Sequence, residues 1–179
     1  NPPLGGEPKD AIRINPDEVR IGRTPNTNPL LFKKISIFGK LPAFKKTVFL
    51  DTDTYVWSPI NELFDILNKY TIAAAREPCP PTDTSELSRS FPELNTGVIA
   101  YKMPESQIVF DNWREYFNKL SFEFDQPSFR MSFHSSDVDS LIIPPSYNCR
   151  SIYPGFLNNE VKIIHGRHRV GLEEVCGKM

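Results

Sequence analysis

Val48-Phe49-Leu50-Asp51-Thr52-Asp53-Thr54 brings two carboxylates to positions i and i+2 directly after an apolar run. A short apolar run bounded by polar residues predicts a strand buried on both faces. In extended backbone, side chains two apart share a side, so Asp51 and Asp53 are expected to aim at one point where the strand ends. Ligands of open α/β sheets collect there, beyond the carboxyl ends of the strands. Two carboxylates facing one spot repel unless a cation lies between them or one takes a proton. A hard divalent ion, Mg²⁺ or Mn²⁺, is the natural occupant of such an oxygen-rich site. The plain alternative is a chance Asp-x-Asp in a turn or at a helix cap.

The elements that must position these acids follow from the rest of the chain. Residues 1–29 are rich in Pro, Gly and Asn and read as irregular, with at most a brief strand at 11–14. Asn28-Pro29 predicts the start of a helix that carries Leu30, Leu31, Ile35, Ile37 and Phe38 and stops near Gly39, with Lys33, Lys34 and Lys40 on its solvated side or, as the alternative, one of them in contact with a phosphate. After the aspartates, Ser58-Pro59 predicts a second helix start, followed by Ile60, Leu63, Phe64 and Leu67 at helical spacing. Further strands are expected at 71–75, 94–101, 141–143 and 161–164. Helices are expected at 105–119 and from Pro127, with Asp125 as a candidate N-cap. A proline-rich loop spans 76–92, and the tail at 169–179 is polar and loose. Helices alternate with strands, which defines an α/β domain with a mixed, mostly parallel sheet, read as one domain over 1–179.

Composition excludes several classes. The chain has 179 residues, enough for one substantial core, with 21 Lys and Arg against 22 Asp and Glu. That balance offers no excess charge for neutralising phosphates, so nucleic acid is not expected as a partner. No apolar stretch approaches the roughly 20 residues of a membrane span. Cys79, Cys149 and Cys176 form neither a Cys-x-x-Cys site nor a disulfide framework. Unpaired thiols and the absence of a signal peptide favour a cytoplasmic location.

Four stretches in order resemble a known family: Phe49-Leu50-Asp51-Thr52-Asp53-Thr54, Leu94-Asn95-Thr96-Gly97-Val98, Asp125-Gln126-Pro127 and Ile163-Ile164-His165-Gly166. The chain resembles the GT-A-fold glycosyltransferases of the glycogenin and lipopolysaccharide galactosyltransferase group, over residues 30–168. The resemblance implies a nucleotide-diphosphate sugar as donor and a divalent metal held by Asp51, Asp53 and His165. It implies that Thr52, Asn95 and Gly97 line the donor site and that Asp125 and Gln126 lie beside the reacting carbon. It further implies transfer with retention to a sugar, glycan, protein or lipid acceptor. Two features depart from the group. Only 50 residues precede Asp51, so the N-terminal nucleotide-binding half reads as shortened. Arg167 follows His165-Gly166 near where the group places a lysine, and would take the cationic role at the phosphates.

The residue types agree with these roles. Asn95 offers an acceptor and a donor to sugar hydroxyls, and Gly97 admits close approach of backbone to ligand. Two carboxylates and an imidazole suit Mn²⁺ somewhat better than Mg²⁺. Each residue also has an ordinary structural role open to it: His165 as a buried, hydrogen-bonded histidine, Asn95-Gly97 as a turn, Asp125 as a cap. Trp57, Tyr147 and Trp113 are candidate acceptor platforms, with Trp113 better suited to the core and Tyr147, in a loop, the best placed. His134 and His168 read as surface residues. A GT-A-like scaffold without a complete donor site is the alternative, and a metal-dependent phosphohydrolase, which needs an activated water and a general base, the third.

Overall fold

The computed structural model describes residues 34–38, 44–82, 86–120, 124–150 and 160–166. Its strands are β1 (Lys46–Leu50), β2 (Thr54–Val56), β3 (Ile72–Arg76), β4 (Leu94–Lys102), β5 (Ser140–Ile143), β6 (Cys149–Arg150) and β7 (Ile163–His165). The helices are α1 (Glu62–Asp65), α2 (Gln107–Leu120) and α3 (Gln126–Ser135), and residues 34–37 form a helical turn. The strand expected at 11–14 and the first part of the helix from Asn28 lie outside the described residues.

Two sheets form. The larger has the order β1-β4-β3-β5, and the smaller the order β2-β7-β6. The larger sheet is mixed, as expected, but not mostly parallel among the described strands. β4 runs antiparallel to β1 and to β3, and only β3 and β5 pair in parallel. The reason is β4, a nine-residue strand buried to its last residue but one, which enters the sheet against the direction of both neighbours.

Side-chain alternation along β3 and β4 sorts the core into two layers. Ile72, Ala74, Ile99 and Tyr101 face an aromatic layer built from Phe38, Phe110, Trp113, Phe117, Phe129 and Phe133. Ala73, Ala75, Val98 and Ala100 face the opposite layer with Leu63, Leu67, Ile143 and Ile163. α2 and α3 therefore cover one face, and α1 with the short segments near it covers the other. The alanines of β3 leave room for large side chains on both sides. Trp113 is wholly buried in the aromatic layer, so it is a core residue and no acceptor platform.

Three local expectations change. β1 is half-buried and borders only β4 among the described residues, although Phe49 reaches one layer and Val48 and Leu50 the other. The second helix starts at Asn61 rather than Ser58, because the Ser58 backbone N–H is tied to the carbonyl of Lys162. That helix is also short, tightening into a 3₁₀ turn at Ile66–Asn68.

The loop between β3 and β4 is organised by a buried guanidinium. Arg130 on α3 is fully buried and donates to the carbonyls of Thr82, Ser88 and Phe91. Five N–H donors in a fixed fork satisfy backbone acceptors that would otherwise be stranded.

Candidate functional site

The carboxyl ends of β1, β3 and β5 and the amino end of β4 meet along one edge of the larger sheet. The polar residues singled out in the sequence gather there. Asp51 follows β1 directly, with its N–H bonded to the carbonyl of Gly97 at 2.8 Å. The backbone then turns. Thr54 donates its N–H (3.1 Å) and its hydroxyl (2.7 Å) to the carbonyl of Asp51, and Thr52 is exposed at the tip. Asp51 and Asp53 thus converge through a tight turn rather than through the extended backbone first expected. The turn hands the chain from the larger sheet to β2, which pairs with β7 so that Thr54 lies opposite His165.

His165 completes a cluster. Ligand-type atoms of Asp51, Asp53 and His165 all lie within 4.8 Å of one another. The Nε2 atom of His165 is 3.3 Å from Asp53 Oδ1 and 3.7 Å from Asp51 Oδ2. Neighbouring ligands on an octahedral ion of Mg²⁺ size stand about 3 Å apart, so the spacing fits one shared cation. Burial, with the charge of Arg150 adding to it, holds the His165 pKa below the usual value, against the opposing pull of Asp53 and Asp51. A neutral imidazole is the ligand form. Burial also raises the Asp51 pKa, while Lys34 opposes it.

Gly97 has a different neighbour from the one expected. A Cβ built on it would land on the imidazole of His165, with Nε2 only 2.8 Å away. The missing side chain makes room for the histidine ring, which lies flush against the strand. Asn95 likewise points into the protein: it is 1% exposed, accepts from Gly97 N–H, and donates to Glu77. Gln126 donates to the same Glu77 oxygen at 3.1 Å, and Arg150 stands 3.5 Å from it.

Asp125 occupies the N-cap position of α3 but caps nothing with its side chain. Its carboxylate faces Lys34 Nζ at 3.1 Å and accepts from the Thr96 hydroxyl at 2.9 Å. Lys34 also reaches Asp51 Oδ2 and Thr96 Oγ1, each at 3.0 Å. Lys34 is therefore not on a solvated face. Its ammonium stands over the Phe49 ring, 5.5 Å from the centroid, and ties Asp51 to Asp125. Three carboxylates against one ammonium leave an excess of two negative charges, which one divalent cation balances.

Sequence reasoning missed Glu77, Thr96 and Asn148 as parts of this site, and gave Lys34 only the alternative of a phosphate contact. Arg167 lies outside the described residues, as do Lys33, Lys40, His168 and Cys176. Tyr147 is not the open platform expected, since its hydroxyl donates to Glu62 at 2.9 Å and its ring packs on the second layer. Burial, with the Glu62 acceptor adding to it, pushes the Tyr147 pKa up to about 12. Trp57 and Tyr55 are exposed on and just after β2, with ring centroids 6.1 Å apart. His134 is exposed, as expected, and Cys79 and Cys149 are free thiols.

No protein-family model matches the sequence, and no curated protein matches it. Solved structures match the fold. The galactosyltransferase LgtC, in complex with donor and acceptor sugar analogues, superposes with a TM-score of 0.61 at 13% identity, over 85% of this chain and 68% of that one. Mouse xyloside xylosyltransferase 1, in its apo form, gives 0.52 at 14% identity, over 78% and 63%. The bifunctional glycosyltransferase WbbM gives 0.56 at 14% identity, over 79% and 32%. The chain thus spans less than two thirds of the xylosyltransferase. At these identities the likeness establishes the fold, which is GT-A-like, as the four sequence stretches implied. No helix among the described residues is long and apolar enough to cross a membrane.

Proposed function

We propose that this chain is a single glycosyltransferase-like domain that moves a sugar from a nucleotide-diphosphate donor to an acceptor, with a divalent metal at Asp51, Asp53 and His165. One observation carries the reading: in a GT-A-like fold, two carboxylates and an imidazole converge at the sheet edge. When bound there, a metal of the Mn²⁺ or Mg²⁺ type supplies Lewis-acid stabilisation of charge on the departing diphosphate. The chain's own residues do the positioning. Lys34 and Thr96 hold the Asp125 carboxylate toward the cluster, and Glu77 holds the Gln126 amide. Asp125 and Gln126 are assigned beside the reacting carbon, where a fixed carboxylate stabilises developing positive charge. Arg167 is assigned to the phosphates and Thr52 to the mouth of the donor site. Retention of configuration and the donor identity rest on the family resemblance.

The test is a thermal melt. Mn²⁺ together with a uridine or guanosine diphosphate is expected to raise the melting temperature, and Asp53→Ala to abolish the shift. The absence of any shift with every nucleoside diphosphate overturns the assignment. Lys34 favours one second reading, a GT-A-like binding or scaffolding domain. Its ammonium already compensates Asp51, so the fold does not need a metal for that carboxylate. Metal uptake without nucleotide uptake would select that reading.

A further inference from the structure

We propose that Asn148 and Asn95 form a relay that fixes which nitrogen of His165 carries its proton, making Nε2 the metal-facing lone pair. This rests on the metal reading above. The inference starts from a group with no choice, since a backbone N–H can only donate. Gly97 N–H meets the Asn95 side chain at 2.8 Å, so the atom it meets is the carbonyl oxygen. The other arm of Asn95 then presents its NH₂ to the Glu77 carboxylate, which can only accept. Asn148 approaches the same Asn95 oxygen at 2.7 Å and must offer its NH₂ there. Its remaining atom, the carbonyl oxygen, stands 2.8 Å from His165 Nδ1. That nitrogen must therefore donate, which in the neutral ring leaves Nε2 bare and directed at Asp51 and Asp53.

Each step follows from heavy-atom positions and one unambiguous donor, so no amide assignment is assumed. Asn95 and Asn148 are each 1% exposed, so water does not compete for these bonds. Both tautomers of the imidazole are neutral, and no change of charge is involved. Asn148 is a positioning residue, acting on the ligand rather than on substrate. Asn95 takes a role other than that of a sugar contact.

The test reads the ring directly. Long-range proton–nitrogen NMR correlations of the metal-free protein, with His165→Gln used for assignment, are expected to show Nδ1 protonated and Nε2 bare. Asn148→Leu is expected to release the ring to the Nε2–H form and to weaken Mn²⁺ binding by about 10–100-fold, read by calorimetry. Asn148→Asp keeps an acceptor for Nδ1–H, so the Nδ1–H tautomer is expected to persist, although its other oxygen faces the Asn95 oxygen and lowers stability. A wild-type ring protonated on Nε2, or an Asn148→Leu protein with an unchanged tautomer, overturns the relay. If Asn148→Leu does not fold, the wild-type spectrum and the aspartate variant decide. Wild-type protein that shows the expected tautomer but takes up no Mn²⁺ overturns the metal reading and leaves the relay standing.

Discussion

The two halves of β4 do opposite work. Val98, Ile99, Ala100 and Tyr101 alternate between two apolar layers and make the strand the spine of the core. Leu94, Asn95, Thr96 and Gly97 are just as buried, yet three of the four serve polar chemistry: a relay, an ammonium ligand and a cradle for a ring. Burial alone does not separate scaffold from site. What separates them is whether the buried groups are satisfied by packing or by hydrogen bonds that converge on one place.

Substitutions in each half should break this contrast in different ways. The largest effect belongs to Gly97→Ala, because its new methyl group meets the His165 ring rather than a flexible side-chain end. We expect Mn²⁺ binding to fall at least 100-fold by calorimetry, and stability to drop by about 1–3 kcal/mol in urea. Ile99→Ala, wholly buried two residues further on, should cost about 2–5 kcal/mol in urea while leaving the metal affinity of the folded protein within two-fold. Equal losses of metal binding from both variants would erase the distinction.

Thr96→Val keeps the shape and removes a hydroxyl that accepts from Lys34 and donates to Asp125. A loss of about 1–2 kcal/mol is expected, with the Mn²⁺–nucleotide melting shift reduced rather than abolished. The smallest effect lies away from β4. Glu62 is held below the usual carboxylate pKa by its own backbone N–H, with the Tyr147 hydroxyl and Lys162 adding to it. A depressed carboxylate gives stability above its unfolded pKa and loses it as pH falls through the folded one. Tyr147→Phe should therefore flatten the acid limb of stability below pH 4.5, by under about 0.5 kcal/mol because Glu62 is partly exposed and screened by solvent. Urea melts at pH 3 and pH 7 measure it.

How much of this was legible in the sequence depended on the range of the interaction. Short apolar runs marked β1, β3 and β4, helical spacing marked α2, and the Asp125-Gln126-Pro127 start marked α3, because those signals lie within a few residues. The Asp51, Asp53 and His165 cluster was legible only through motifs in a familiar order. A turn closed by Thr54, and not the side-by-side placement of residues two apart in extended backbone, brings the two acids together. Lys34, Glu77 and Asn148 left no local trace. Lys34 looked like one of three solvated lysines, Glu77 like part of a proline-rich loop, and Asn148 like the neighbour of an aromatic. Their partners lie 17, 18 and 53 residues away, for example Asp51, Asn95 and Asn95 respectively. Only the folded chain brings such groups together.

The turn at Asp51–Thr54 is a seam, since the chain crosses there from one sheet to the other. Asp51 is anchored to β4 on one side of the seam, and Asp53 and His165 belong to the other. An occupant gripping all three would stitch the short β2–β7 ladder to the long one. Amide exchange in three-residue strands, ordinarily fast because so few bonds hold them, would then slow in step with occupancy of the site.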